Sequence, residues 1–135
     1  MTLTHGFLSS IDTQDIIDGV CIIPDEVNEI DSFTFYNYES ITDIKMSDNV
    51  KRIRAHAFKD CKNLKTVTLS NNISVIFECT FARCVSLESI NLPDNLLYIC
   101  NGAFYKCDNL DENTKEKIKS INPNAFDSGI YEERI

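Results

Sequence analysis

The stretch "IRAHAFKDCKNLKTVTLSNN", Ile53 to Asn72, sets the frame for the whole chain. Its apolar residues fall at uneven intervals: Ile53, Phe58, Cys61, Leu64, Val67 and Leu69. Taken alone, Cys61 near His56 suggests a nucleophile or half of a metal site. Moving 23 residues in either direction changes that meaning: Phe35, Phe58, Phe81 and Phe104 are each 23 residues apart, and Phe126 follows after 22.

Other positions keep the same phase. Eight residues before each phenylalanine stand Val27, Val50, Ile73, Leu96 and Ile118; five before it stand Ile30, Ile53, Ile76, Ile99 and Ile121. Three after it come Tyr38, Cys61, Cys84 and Cys107, and six after it Ile41, Leu64, Leu87 and Leu110. Ile44, Val67 and Ile90 form a further column, as do Met46, Leu69 and Leu92, with Cys21 and Ile23 holding those phases one turn earlier. A period of this length marks stacked architectures, in which one turn cannot bury its apolar edge alone and neighbours share a core.

Side chains switch faces at every residue of a strand, so Val67 and Leu69 are expected inside, and Thr66, Thr68 and Ser70 outside. Equivalent strands near 20–24, 43–47, 66–70 and 89–93 then stack in parallel about 4.8 Å apart. The result is a short slab with an outer face of low relief.

The segments "ITDIKMSDN", "LKTVTLSNN" and "LESINLPDN" fit the strand pattern L-x-x-L-x-L-x-x-N. The fuller block in "IRAHAFKDCKNLKTVTLSNN" and "ICNGAFYKCDNL" resembles the BspA-type leucine-rich repeat. Cys21 to Leu110 match it well and Asp111 to Phe126 weakly. The resemblance implies a leucine-rich-repeat solenoid, mainly β or α/β, right-handed, with parallel strands on one side and irregular or short helical segments on the other. It also implies a role in protein binding and no catalytic residues; the family is found mostly in surface and secreted proteins that mediate adhesion. Two departures stand out. The family's glycine after the Ile of I-x-x-x-A-F is replaced by Asp31, Arg54, Phe77 and Cys100, so the turn there must form without glycine's free φ. Strand-end proline appears as Pro24 and Pro93, with Ser47 and Ser70 between them.

Terminal turns must cover an apolar cross-section and so depart from the pattern. Residues 1–19 read as an N-terminal cap, in which Phe7, Leu8, Ile11, Ile16 and Ile17 roof the first turn through a short strand or hairpin. Residues 20–110 carry the repeats. Residues 111–135 read as a degenerate repeat with a capping helix and a loose tail, "GIYEERI". The helix falls on "DENTKEKIKSI", with Asp111 and Glu112 at its positive end, Lys115, Lys117 and Lys119 toward the other, and Ile118 and Ile121 docking on the last turn. Asp111 and Lys115 are spaced for an i,i+4 pair worth about 0.2–0.5 kcal/mol.

A length of 135 residues with 43% hydrophobic content suits one domain. A net charge of −8 argues against nucleic acid, because a phosphate backbone would be repelled. The N-terminus lacks the basic start and apolar run of a signal peptide, which makes reduced thiols and a cytoplasmic location the default, although the resembled family is often surface-located or secreted. No run approaches the roughly 18 apolar residues of a membrane span.

Each candidate site has a structural reading beside the functional one. Cys61, Cys84 and Cys107 share a column with Tyr38, which favours a small buried knob over thiol chemistry. A thiol hydrolase would instead present an exposed, readily alkylated Cys61. No zinc knuckle is present, and neither His5 nor His56 has a carboxylate at telling spacing. Catalytic, cofactor and metal residues are therefore none. Asn49, Asn72 and Asn95 end successive strands and are expected to satisfy backbone groups of neighbouring turns. The remaining candidate is the outer face of the sheet: Val20, Ile22, Asp43, Lys45, Thr66, Thr68, Ser89 and Asn91. It fits a non-enzymatic module that binds a protein partner, with Val20 and Ile22 as anchors unless the N-terminal cap covers them. An exposed end strand offers a route to self-association. The alternative is an acidic inhibitor or immunity-type protein that neutralises a basic partner enzyme, and steep salt dependence of binding would mark it.

Overall fold

Each turn of the solenoid contributes one strand to each of two sides; the strands of one side form a continuous sheet, and those of the other, called the second sheet below, fall into a four-stranded and a two-stranded part. The strands are β1 (Thr2–Thr4), β2 (Phe7–Ser10), β3 (Ile16–Ile17), β4 (Val20–Ile22), β5 (Glu29–Ile30), β6 (Asp43–Lys45), β7 (Arg52–Ile53), β8 (Thr66–Thr68), β9 (Val75–Ile76), β10 (Ser89–Ile90) and β11 (Tyr98–Ile99), followed by one helix, α1 (Glu112–Ile121). This computed structural model describes residues 1–128, so the tail expected at 129–135 lies outside the described residues.

The first sheet has the order β10-β8-β6-β4-β3, with β4, β6, β8 and β10 parallel. Its register aligns Val20, Asp43, Thr66 and Ser89 in one row and Cys21, Ile44, Val67 and Ile90 in the next, as the 23-residue phase predicts. The strands are shorter than expected, and this has a consequence at Ser70. The pleat ends at Thr68, so Ser70 turns inward rather than outward, is fully buried, and donates its hydroxyl to the Val50 carbonyl at 2.5 Å.

The second sheet was not expected from the sequence. Its strands β5, β7, β9 and β11 are only two residues long, too short to show an alternation. They place Ile30, Ile53, Ile76 and Ile99 inward, while the rest of that side is irregular turn. Positive φ does not fall at Asp31, Arg54, Phe77 and Cys100. It falls two residues later, at Phe33, His56, Cys79 and Gly102, and again at Asn37, Asp60, Arg83 and Lys106. The left-handed conformation is thus adopted mainly by side-chain-bearing residues, each at some energetic cost.

Between the sheets the repeat columns form one continuous core. The rings of Phe35, Phe58, Phe81 and Phe104 stack nearly parallel, with centroids 4.7, 5.3 and 5.4 Å apart, close to the roughly 4.8 Å strand spacing. Phe126 closes the stack at 6.0 Å, tilted by 36°. Beside the rings, the thiols of Cys61, Cys84 and Cys107 donate to the carbonyls of Phe35, Phe58 and Phe81 at 2.9, 3.1 and 3.0 Å. Tyr38 does the same in its turn, reaching the Ile11 carbonyl at 2.6 Å.

The N-terminal segment is a pair of hairpins, one for each sheet. β1 runs antiparallel to β2, which begins the second sheet beside β5; β3 runs antiparallel to β4 in the first. The two-residue loops His5-Gly6 and Asp18-Gly19 have positive φ at both positions, the mirror-image turn that matches strand twist. Glycine is required at 19, since a Cβ there would fall 2.4 Å from Thr42 Oγ1. Leu8 and Ile11 are buried as expected and Ile16 packs on the core, but Ile17 points away and is 72% exposed.

At the other end, α1 forms as predicted, with Asp111 as its N-cap accepting from the Thr114 N–H at 2.9 Å. Lys115 pairs with Glu112 at 3.5 Å instead of with Asp111, whose carboxylate is taken by Thr114. Ile118 is buried against the last turn, whereas Ile121 is only partly covered, at 36% exposed.

Candidate protein-binding face

Seven of the eight residues expected to form the outer face of the first sheet lie in aligned rows, Asn91 following the last strand residue, and they are not equivalent. Ile22, Lys45, Thr68 and Ser89 are exposed. Val20, Asp43 and Thr66 are half-buried. Asp43 accepts hydrogen bonds from the hydroxyls of Thr66, across the strands, and of Thr42 at 2.8 Å. These bonds, led by that from Thr66, hold its carboxyl below the usual carboxylate range. Asn91 is exposed, yet its amide bonds the Leu69 backbone on both sides, accepting from the N–H at 2.6 Å and donating to the C=O at 2.9 Å. It extends the sheet beyond the last strand residue and so has little left to offer a ligand.

The N-terminal cap pairs along Val20, which is half-buried, and leaves Ile22 open. Ile22 is 66% exposed, and Ile17 beside it is more so. Sequence reasoning missed Ile17 because it assigned the residue to the roof. The Asp18-Gly19 dipeptide, a strong hairpin signal between Ile17 and Val20, carried the information that Ile17 belongs to an edge strand. Met1, Gln14, Asp15, Ile17, Val20, Ile22 and Pro24 line a groove of about 510 Å3 at this corner.

The thiols have a different character. Cys61 is 0% exposed, with its Sγ directed to the Phe35 carbonyl, so it is not presented as a nucleophile. Burial pushes the Cys84 and Cys107 thiols well up from their ordinary range and Cys21 up to about 11, which disfavours the reactive thiolate. His56 stacks on Phe33 with centroids 5.0 Å apart. Among the described residues, no group of three or more His, Cys, Asp or Glu is placed to hold a metal ion, and no helix is long and apolar enough to cross a membrane.

The asparagine column behaves as expected. Asn49, Asn72 and Asn95 donate to the carbonyls of Asp25, Asp48 and Asn71, one turn back, at 3.0, 2.6 and 3.5 Å. A second such pair, missed in the sequence, is Asn63 to Glu39 and Asn109 to Val85. The intervening Ser86 breaks the column and hides the period.

The sequence profile of the BspA type leucine rich repeat region matches residues 20–131 in six copies. The chain belongs to this family. Solved structures agree with the assignment. A leucine-rich cell surface protein from Faecalibacterium prausnitzii is 33% identical with a TM-score of 0.67, over 70% of this chain and 25% of its own. A leucine-rich-repeat protein of T. pallidum is 25% identical with a TM-score of 0.71, over 77% and 50%. One from Bacteroides ovatus is 27% identical with a TM-score of 0.65, over 82% and 31%. The BspA-type chain thus spans between a quarter and a half of the length of these proteins. No curated protein matches it.

Proposed function

We propose that this BspA-type chain is a protein-binding module that meets its partner through the outer face of the first sheet. Leucine-rich-repeat proteins are generally non-enzymatic interaction modules, and the family assignment points to that class. The observation that carries the finer reading is the register. Four parallel strands align small and polar side chains in rows, and those rows end at an exposed isoleucine pair beside a groove. Ile17 and Ile22 serve as apolar anchors, while Lys45, Thr68 and Ser89 supply polar contacts around them. Asp43, Thr66 and Asn91 hold the surface in shape through the bonds they already make.

The test is cross-linking of the native protein in host lysate, with identification of captured chains, followed by binding measurements on the captured partner. An Ile22→Glu, Thr68→Glu double variant is expected to lose at least tenfold in affinity while keeping its fold. Weak dependence on ionic strength is expected for an apolar contact. Unchanged binding by the double variant would move the site elsewhere, and steep salt dependence would favour the acidic-inhibitor reading.

A further inference from the structure

The second sheet contains a break that the first lacks. Its strand order runs β1-β2-β5-β7 and stops, and β9 pairs only with β11. The Arg54 N–H donates to the Ile30 carbonyl and the Cys100 N–H to the Ile76 carbonyl; among the described residues, no equivalent bond joins Phe77 to Ile53. A hollow of about 260 Å3 lies at this gap, lined by Ser32, Arg52, Arg54, Ala55 and Phe77. A smaller one of about 90 Å3 adjoins it, sharing Arg52 and Phe77 and reaching Lys51.

Both guanidinium groups are held in place. Arg54 lies over the Phe7 ring at 5.4 Å and Arg52 over the Phe77 ring at 5.6 Å. One oxygen of Glu29 accepts from Arg54 Nε at 3.0 Å and lies 3.9 Å from Arg52 Nη1, a looser ion pair. Stacking and anchoring reduce the freedom that a guanidinium loses on binding. The bond from Arg54 to Glu29 uses Nε, and among the described residues no bond from its Nη groups is found. Side-chain exposures of 59% for Arg52 and 47% for Arg54 keep the forks within reach of solvent.

The charge pattern selects the ligand. Lys51, Arg52 and Arg54 concentrate three positive charges within four residues of a chain whose net charge is −8. Nearby, Glu29, paired with the arginines, and Asp31, which accepts from the Ser32 N–H, offset two of these charges, so the local excess is one positive charge on an otherwise acidic chain. A long polyanion would feel the whole acidic molecule, whereas a short segment feels what lies within a Debye length of about 8 Å at physiological salt. We infer that the trough between Arg52 and Arg54, floored by Phe77, accepts an Asp or Glu carboxylate from an acidic segment of a protein partner. This site lies on the second sheet and is independent of the first-sheet face. The guanidinium fork matches a carboxylate with two parallel hydrogen bonds, and the phenyl ring beneath excludes water from one side.

The experiment is selection of a displayed random-peptide library on the full chain, counter-selected on an Arg52→Ala, Arg54→Ala double variant. Both arginines are exposed, and circular dichroism melting of the variant checks its fold. Selected peptides are expected to be enriched in Asp and Glu. A synthetic representative should bind at least tenfold more weakly to the double variant, and the same peptide with Gln for Glu should lose a similar factor on the native chain. Arg54→Lys should recover only part of the loss, and Ile22→Glu, which weakens the first-sheet face, should leave the affinity for the selected peptide as it is. Peptides without acidic enrichment, affinity unaffected by the arginine substitutions, or loss of binding in Ile22→Glu would each overturn the proposal. So would preference for a heparin fragment over the selected peptides.

Discussion

The two sheets are built by the same turns, yet the first runs unbroken from β3 to β10 and the second is interrupted between β7 and β9. At that interruption the interior is undisturbed. Phe58 and Phe81 stack at 5.3 Å, and the Cys84 thiol still reaches the Phe58 carbonyl at 3.1 Å. The stack is therefore joined by its internal columns, and the outer ladders can open locally. Where the second sheet opens, three large side chains, Arg52, Arg54 and Phe77, share one outer face with a hollow between them. At the corresponding junction of the first sheet, Asp43 and Lys45 face Thr66 and Thr68 across paired strands, so at each row one partner is small.

If internal columns carry continuity, their loss should outweigh any change on either face. Phe81→Ala removes a ring held between Phe58 and Phe104 and is expected to lower unfolding free energy by about 3–5 kcal/mol in urea denaturation. A loss no greater than that of an exposed threonine would break the comparison. Next in size, Cys84→Ala should cost about 1–2 kcal/mol, since it leaves the Phe58 carbonyl without its donor and opens a small void. Cys84→Ser keeps a donor there and should cost less, by the same measurement.

The ladders themselves are separated by amide hydrogen exchange. Residues 75–77, at the break, should exchange on the order of tenfold faster than residues 66–68, whose ladder is paired on both sides. Equal rates would mean that the break has no energetic content. The smallest effect concerns pH. Asp43 has a depressed folded-state pKa, so its bonds to Thr66 and Thr42 contribute stability above the unfolded aspartate value of about 3.9. That contribution is lost as pH falls through the lower folded value. Thermal melts between about pH 4 and pH 2 should therefore fall more steeply for the native chain than for Asp43→Asn.

The inward columns were legible because burial imposes one residue type at a fixed phase, as with Ile30, Ile53, Ile76 and Ile99. The second sheet was not legible, because two-residue strands leave no alternation to read. The positive-φ positions escaped for a different reason: Phe33, His56 and Cys79 share a backbone conformation and no side-chain chemistry, so only the glycine at 102 signals it. On the candidate face, strand phase placed seven of the eight residues on paired strands, all but Asn91. It did not distinguish Thr68, which is open to solvent, from Asn91, whose amide is spent on the Leu69 backbone. That distinction depends on where each strand ends, and strand ends are set by contacts between turns.

Some of the bonds between turns reach forward along the chain, although those of Lys51, Arg54 and Lys65 reach back. Phe35, Phe58, Phe81 and Phe104 donate their backbone N–H to the carbonyls of Ala57, Thr80, Ala103 and Ala125, in the segment synthesised next. The carbonyls of Phe35, Phe58 and Phe81 wait likewise for thiols of the following turn. Each such turn therefore has its full set of bonds only once its successor is in place, and a chain still being synthesised is expected to hold its newest turn less firmly than those behind it.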